Sequence, residues 1–189
     1  MSKLAVGVFG APGVGKSTLL QDHVAAHGDD RHIVGSSIIK QVLAPLSVRD
    51  MDAWPDDRQA SARAEAIRRL EVERAATVGV LLVDGHFSLR SRTTGALSCV
   101  VTPEDRGFYG GLVLLDSSAH QVFEQMRADS RRRHGLSEAL VAEHLERERT
   151  LAVEIAQQME VPFTVITATS RADRRQLLGT FLDSIRGLV

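Results

Sequence analysis

The stretch 10–18 is the feature that most constrains what this chain can fold into. Its residues, GAPGVGKST, fit the pattern G-x-x-x-x-G-K-[ST], in which backbone N–H groups of a glycine-rich turn surround nucleotide phosphates. An apolar run of strand length, 4–9, precedes the pattern, and a helix-like stretch, 18–26, follows it. A chance match in a glycine-rich turn is the alternative, but a chance match does not require this strand–turn–helix context. The sequence therefore predicts a nucleotide-binding site here.

The residue types of this stretch each have a physical role in holding phosphate. Gly10, Gly13 and Gly15 let the backbone curl so that successive N–H groups point inward. A helix that begins near Lys16 adds its positive dipole end, Lys16 reaches the β- and γ-phosphates, and the Ser17 hydroxyl ligates Mg²⁺. The predicted cofactors are ATP and Mg²⁺. The predicted nucleotide-binding residues of the stretch are Gly10, Ala11, Pro12, Gly13, Val14, Gly15, Lys16, Ser17 and Thr18.

Bulk composition limits the remaining function classes. With 189 residues and a formal net charge of −1, we expect one domain, 1–189, without a general attraction to nucleic acid or anionic membranes. The single cysteine, Cys99, excludes an internal disulfide and a cysteine-based zinc site, and we expect it to be a partly buried hydrophobe. No signal peptide and no membrane-spanning run is recognisable, so we expect a cytoplasmic protein.

Short apolar runs alternate with longer helix-like stretches along the whole chain, which is typical of βαβ units on a parallel sheet. We therefore predict an α/β fold with three α/β/α layers and a five-stranded, mostly parallel sheet. The predicted strands are 4–9, 32–34, 79–84, 111–116 and 161–166. The predicted helices are 18–26, 38–43, 58–77, one that begins after Ser117 or Ser118, 138–160 and 171–188. We expect loops at 46–55 and at 88–110, the second with a short strand or hairpin near 98–102.

Three helices carry more specific expectations. Ser36 and Ser37 are expected to cap the short helix 38–43. The long helix 58–77 has only a thin apolar stripe, which predicts a mobile or peripheral helix, or one that is simply solvated. In the helix 138–160, we expect the inward-facing residues to be Leu140, Leu151, Ile155 and Met159.

Asp84 directly follows the clearest buried strand of the chain. Four apolar residues and then an acid, downstream of a phosphate loop, form the pattern of an aspartate on the Mg²⁺ side of a nucleotide site. The carboxyl end of such a strand is also where ligands bind in open α/β sheets. The alternative is an acid that merely ends a strand. Together with the stretch 10–18, the pattern favours a metal-side aspartate.

Arginines mark two further segments. Arg131, Arg132 and Arg133 form the densest positive charge of the chain, and arginine clusters suit phosphate because the planar guanidinium donates two hydrogen bonds and stays charged. The alternative is a solvated helix end, where the dipole favours cations. With a phosphate loop upstream, we favour a phosphate clamp. Arg90 and Arg92 lie in the long loop 88–110, whose length indicates a function.

Four segments together resemble the nucleoside monophosphate kinases among the P-loop kinases, most of all the archaeal-type adenylate kinases and their bacterial adenylate-kinase-like relatives. The segments are GAPGVGKST at 10–18, LLVDGHF at 81–87, RADSRRRH at 127–134 and VITATS at 165–170. The resemblance implies a P-loop NTPase fold. It also implies an acceptor-binding excursion at about 36–77 and a short arginine-rich lid at about 127–137.

The resemblance also implies roles for individual residues. Lys16 would neutralise the transferred group, and the lid arginines would close over the phosphates. Ser17 would hold Mg²⁺, and Asp84 would hold Mg²⁺ through water or orient the acceptor. The implied catalytic residues are Lys16, Asp84, Arg127, Arg131 and Arg132. The loop at Ala168 and Thr169 would flank the adenine. The implied acceptor-binding residues are Ser36, Ser37, His86, Arg90 and Arg92. The acceptor phosphate would bind Arg90 or Arg92, and His86 would be an acceptor contact, a catalytic helper or a packed histidine.

The predicted function is transfer of the γ-phosphoryl group of Mg·ATP to a small acceptor, most of all a nucleoside monophosphate. One alternative is a kinase for another small molecule, such as a nucleoside, a sugar acid or a cofactor precursor. The other is a nucleotide-dependent switch or ATPase that acts through a protein partner. No Asn-Lys-x-Asp motif is present, which disfavours GTP. An AAA+ motor would need a C-terminal helical domain, for which 189 residues leave little room.

Overall fold

The structure is a computed structural model that describes residues 3–51, 53–91, 94–128 and 137–187. The strands are β1 (Ala5–Phe9), β2 (Arg31–Val34), β3 (Leu81–Asp84), β4 (Ser88–Arg90), β5 (Leu97–Cys99), β6 (Gly111–Leu115) and β7 (Phe163–Ile166). The helices are α1 (Lys16–Ala26), α2 (Gly35–Leu43), α3 (Val48–Met51), α4 (Asp56–Ala76), α5 (Ala119–Ala128), α6 (Glu138–Met159) and α7 (Arg171–Arg186). A short 3₁₀ turn covers Pro103–Asp105.

The centre of the fold is a five-stranded parallel sheet with the strand order β2-β3-β1-β6-β7. Strands β4 and β5 form a separate antiparallel hairpin. The predicted α/β class and the five-stranded parallel sheet are therefore confirmed. The short strand or hairpin predicted near 98–102 corresponds to this hairpin, whose second strand lies slightly earlier, at Leu97–Cys99.

Alternating side chains of the central strands supply both faces of the sheet. In β3, Leu82 packs into the core with α1, α5 and α7, whereas Leu81 and Val83 pack into the core with α4 and the second half of α6. In β6, Val113 and Leu114 alternate in the same way. Successive side chains of a strand point to opposite faces, so apolar runs of this kind require helices on both sides and produce three layers.

Several predicted details are wrong. The stretch 46–55 contains the short helix α3 instead of loop alone, and α2 begins at Gly35 with Val34 as its N-cap residue, so Ser36 and Ser37 are not caps. Leu140 is 38% exposed because it lies in the first turn of α6, close to solvent. Cys99 is exposed on the hairpin.

Helix α4 is also better packed than its thin apolar stripe predicts. Its buried residues are Ala62, Ala64, Ala66, Ile67 and Leu70. Ala66, Ile67 and Leu70 join the core of β1 and β3, and Ala62 joins a smaller cluster with α2 and α3. Alanine adds little to a hydrophobic stripe but allows close approach of the backbone, so the helix forms a wall of the interior.

The parallel register brings two distant segments to one edge of the sheet. Val8 of β1 lies opposite Asp84 of β3, and the glycine-rich stretch follows β1 directly. The carboxyl ends of both strands thus meet where ligands bind in open α/β sheets. None of the helices in the described part of the chain combines the length and apolar composition that crossing a membrane requires.

Candidate active site

The backbone of the stretch 10–18 forms a curled loop between β1 and α1, which we call the phosphate loop. Gly10, Gly13 and Gly15 all have positive φ, at 150°, 87° and 103°. A side chain at Gly13 would collide with Met126, and one at Gly10 would collide with the carbonyl oxygen of Leu115. Glycine is therefore required at these two positions both by conformation and by space. Gly15 is the N-cap residue of α1, so the positive end of the helix faces the loop.

Lys16 lies folded back on the phosphate loop. Its side chain is 5% exposed, and its Nζ donates to the carbonyl oxygens of Gly10, at 2.7 Å, and Ala11, at 3.1 Å. A phosphate at the loop offers this ammonium a charged acceptor in place of two neutral ones, which makes the stronger hydrogen bond. The Lys16 ammonium group therefore lies at the phosphate loop, next to the position at which it would contact a phosphate.

Ser17 and Asp84 lie in direct contact across the sheet edge. The Ser17 hydroxyl donates to Asp84 Oδ2 at 2.5 Å. Burial alone would raise the pKa of Asp84, but the nearby His32 imidazole, the charge of Lys16 and the hydrogen bond from Ser17 lower it below its ordinary value. The carboxyl group is therefore ionised at neutral pH. A hydroxyl next to a carboxylate is a suitable oxygen pair for Mg²⁺, which takes few protein ligands and completes its shell with phosphate oxygens and water.

Two further observations concern this pair. The buried His32 Nε2 lies 3.8 Å from Asp84 Oδ2 and has no hydrogen-bond partner within the described segments. In the same segments, no group of three or more His, Cys, Asp and Glu side chains could hold a metal alone.

His86 contacts the phosphate loop and lines the cavity. Its Nδ1 lies 2.6 Å from the carbonyl oxygen of Gly10, which only accepts, so this nitrogen carries the hydrogen and donates. Burial, followed by the charge of Lys16, lowers the pKa of His86 to about 3. The imidazole is therefore neutral at physiological pH. Of the three roles predicted from the sequence, the contacts fit a packed histidine beside the loop.

One cavity of about 510 Å³ joins the phosphate loop to the space enclosed by α2, α3 and α4. Ser36, for which the family resemblance implies acceptor binding, lines this cavity. Ser37 donates its hydroxyl to the carbonyl oxygen of Val34, the N-cap residue of α2, at 2.6 Å. We call the part of the cavity lining away from the phosphate loop the acceptor wall, after the acceptor site predicted from the sequence. Most of it is apolar, and its apolar residues include Ile39, Val48, Met51, Ala66, Ile67, Leu70, Val100 and Val101.

Two charged side chains on the acceptor wall were not predicted from the sequence. Arg63 of α4 and Asp105 of the 3₁₀ turn both line the cavity. Arg63 donates to the side-chain oxygen of Gln59 at 3.2 Å. Asp105 accepts hydrogen bonds from the backbone and hydroxyl of Thr102, at 2.7 and 3.1 Å, and burial raises its pKa. The wall thus carries the permanently charged Arg63 amid mostly apolar surface, with the Asp105 carboxyl group lining the same cavity.

The predicted arginines have other partners or lie outside the described residues. Arg90 donates to the Gly95 carbonyl oxygen at 2.6 Å and to Glu143 at 2.7 Å. Arg127 is largely exposed and pairs with Glu124 at 3.0 Å on its own helix. Arg92, Arg131, Arg132 and Arg133 lie outside the described residues, as does most of the predicted lid.

Arg174 connects the phosphate loop to the loop predicted to flank adenine. Its Nε donates to the Ala168 carbonyl oxygen at 2.6 Å and its Nη1 to the Val14 carbonyl oxygen at 3.0 Å. Burial lowers the pKa of this arginine. Neither Ala168 nor Thr169 lines the cavity at the phosphate loop. The sequence gives only one indication of this contact. Arg174 lies one turn into the final helix, after the N-cap residue Ser170.

The comparisons with known proteins place the chain in a family and identify solved structures with the same fold. A family model described as an AAA domain matches residues 9–144, well over half of the chain, so the chain belongs to this AAA-domain family. The search of curated proteins gave no match. The match begins at the last residue of β1 and includes the phosphate loop, Asp84 and the acceptor wall.

Two solved kinase structures share this fold. A gluconokinase from Sinorhizobium meliloti 1021 has a TM-score of 0.60 and 21% identity, covering 99% of this chain and 96% of that protein. A shikimate kinase from Bacteroides thetaiotaomicron has a TM-score of 0.63 and 13% identity, covering 95% of this chain and 98% of that protein. The fold is thus the α/β/α fold of P-loop kinases over almost its whole length.

Proposed function

We propose that this chain is a phosphotransferase that moves the γ-phosphoryl group of Mg·ATP to a small-molecule acceptor. The observation that carries the proposal is the single cavity that joins the phosphate loop, the Ser17–Asp84 pair and the wall of α2, α3 and α4. Donor and acceptor must meet in line at the γ-phosphoryl group. A cavity with a donor side and a separate acceptor wall favours transfer to a bound molecule over transfer to water.

In the proposed reaction, the residues of the site have different roles. Backbone N–H groups of the phosphate loop would bind the phosphates of ATP, and Lys16 would turn from the Gly10 and Ala11 carbonyl oxygens to the transferred group. Ser17 and Asp84 would hold Mg²⁺, which neutralises charge on the phosphates when it is bound. The predicted lid arginines stay part of this proposal. Positioning and charge stabilisation account for nearly all of the catalysis, because phosphoryl transfer requires little covalent chemistry from the protein.

The acceptor wall favours a molecule with an apolar body and one anionic group. Each hydroxyl that is buried without a partner costs about 1–3 kcal/mol, and the apolar wall offers few partners to a polyhydroxylated chain. Arg63 supplies a cation for one carboxylate or phosphate. A nucleoside monophosphate, the acceptor predicted from the sequence, has this character, with a flat base and an anionic phosphate.

Small hydroxy acids are the second candidate class. The names of the two solved kinases refer to gluconate and shikimate, and their folds match this chain over nearly its full length. These relatives support kinase chemistry on a small acid more directly than they support a nucleoside monophosphate. Both classes share a negatively charged group that Arg63 would bind.

A coupled assay of ADP formation tests the proposal. Purified protein with Mg·ATP would be supplied in turn with each nucleoside monophosphate, gluconate and shikimate, and with no acceptor. We expect one class to raise ADP formation at least about tenfold above the rate without acceptor. The Lys16→Ala variant serves as the control for contaminating kinases. If no acceptor raises the rate, the proposal is wrong, and slow hydrolysis without acceptor would support a switch or ATPase.

A further inference from the structure

A buried carboxylate on α6 holds the segment that follows the Asp84 strand. Glu148 is 1% exposed, and its two oxygens accept hydrogen bonds from the Phe87 N–H at 3.1 Å, the Ser88 N–H at 2.6 Å and the Ser88 hydroxyl at 2.7 Å. Such a carboxylate is tolerated in the interior only because donors surround both oxygens. The three donors therefore define the position of Phe87 and Ser88 relative to α6.

A second side chain of α6 completes this anchor. His144 lies one turn before Glu148, and its Nε2 lies 3.2 Å from the carbonyl oxygen of Ser88. Because a carbonyl oxygen only accepts, this nitrogen carries the hydrogen and donates. The ring of Phe87 is fully buried and packs edge-on against Phe9, with 4.6 Å between ring centroids. Segment 87–88 is thus held both by α6 and by the end of β1.

The anchored segment directly follows His86, which donates from Nδ1 to the carbonyl oxygen of Gly10. The same oxygen accepts from Lys16 Nζ at 2.7 Å. A carbonyl oxygen has two lone pairs, so it accommodates both donors. Lys16 must leave this oxygen when it turns to a phosphate. Because Gly10 is buried, its carbonyl oxygen would then lose its partner unless His86 stayed in place.

We propose that Glu148 is a positioning residue for nucleotide binding. By holding Phe87 and Ser88, it keeps His86 hydrogen-bonded to the Gly10 carbonyl oxygen. Lys16 can then leave this oxygen, because the oxygen still has a hydrogen-bond donor. The inference rests on the proposed ATP site but concerns nucleotide binding alone. It is independent of the acceptor and of the transfer step.

Calorimetric titration with Mg·ATP and Mg·ADP tests the role of Glu148. Glu148→Gln keeps the shape of the side chain but replaces one accepting oxygen with a donor, so at least one of the three hydrogen bonds is lost. We expect about tenfold weaker binding of both nucleotides, and thermal unfolding verifies that the variant is folded. Ile155→Val removes one methyl group from the same buried face of α6, two turns away, and we expect it to change affinity less than about twofold.

A double-mutant cycle with His86→Ala tests the route of the effect. If Glu148 acts through His86, adding Glu148→Gln to His86→Ala should weaken binding less than about twofold further. An equal loss in both backgrounds would overturn the inference, as would unchanged affinity in Glu148→Gln. If Glu148→Gln does not fold, Ser88→Ala takes its place in the cycle, because it removes only one hydroxyl donor. No binding of nucleotide by the unsubstituted protein would refute the proposed function as well.

Discussion

The proposed donor and acceptor sides of the cavity are built in opposite ways. The proposed donor side comes mainly from one continuous stretch, 10–18, whose backbone curls at three glycines with positive φ. The acceptor side collects side chains from separate segments, among them Ile39, Arg63, Asp105 and Tyr109. Backbone groups are the same in every residue, whereas the acceptor wall depends on which side chains face inward.

This difference predicts different effects of substitution on the two sides. A nucleotide tail can be bound by a local turn, because its phosphates need only N–H groups, one cation and a metal. Recognition of the acceptor needs a shaped wall, which tertiary packing assembles. Changes on the donor side should therefore affect turnover with every acceptor, and changes on the acceptor side should affect the KM for the acceptor alone.

The largest effect is expected for Lys16→Ala on the donor side. Loss of the cation at the transferred group should lower kcat/KM by about 10³-fold, which corresponds to about 4 kcal/mol of barrier. The measurement is the coupled assay of ADP formation with the best acceptor. Lys40→Ala on the exposed face of α2 is a matched loss of one lysine and should leave the rate within about twofold. More than a tenth of normal activity in Lys16→Ala would contradict the donor-side role.

The next largest effect is expected for Asp84→Asn. Removal of the carboxylate should lower kcat by about 10²-fold and should raise the Mg²⁺ concentration needed for half-maximal rate. Titration of activity with Mg²⁺ measures both quantities, and chelation of Mg²⁺ should stop the unsubstituted enzyme.

Asp116→Asn is the matched control for this change, because Asp116 follows the neighbouring strand β6 but pairs with Arg149 at 2.8 Å. We expect it to change stability without changing the Mg²⁺ requirement. An unaltered Mg²⁺ titration in Asp84→Asn would exclude Asp84 as a metal-side residue.

The same contrast explains how much of the site could be predicted from the sequence. The phosphate loop and Asp84 were predicted because one contiguous pattern and one apolar strand determine where they lie. Arg63 was not predicted, because α4 also carries Arg58, Arg68, Arg69 and Arg74, and only the packed helix shows which of them faces the cavity. Glu148 was missed for the same reason, since Glu146 two residues earlier is exposed and Glu148 is buried.

A third prediction tests the acceptor side. Arg63→Ala should raise the KM for the acceptor about tenfold, or about 1.4 kcal/mol, and leave the KM for ATP within about twofold. The physical reason is the loss of the positive charge that Arg63 carries at the mostly apolar wall. Initial rates with each substrate varied in turn provide both constants. Arg68→Ala, an exposed arginine paired with Glu65 on the same helix, is the control. An equal rise in the KM for the acceptor and the KM for ATP would show that the donor and acceptor sides do not bind their substrates independently.

The smallest effect is expected for Arg90→Ala; the family resemblance implies that Arg90 or Arg92 binds the acceptor phosphate. In the structure the Arg90 guanidinium donates to the Gly95 carbonyl oxygen and pairs with Glu143 at the start of α6. Because this pair is partly exposed, its loss should lower the free energy of unfolding by at most about 1 kcal/mol and change the KM for the acceptor less than about twofold. Thermal unfolding and acceptor titration measure the two quantities. A tenfold rise in the KM for the acceptor with unchanged stability would instead show that Arg90, on the hairpin of β4 and β5, binds the acceptor anion. The acceptor side would then include a residue that was predicted from the sequence.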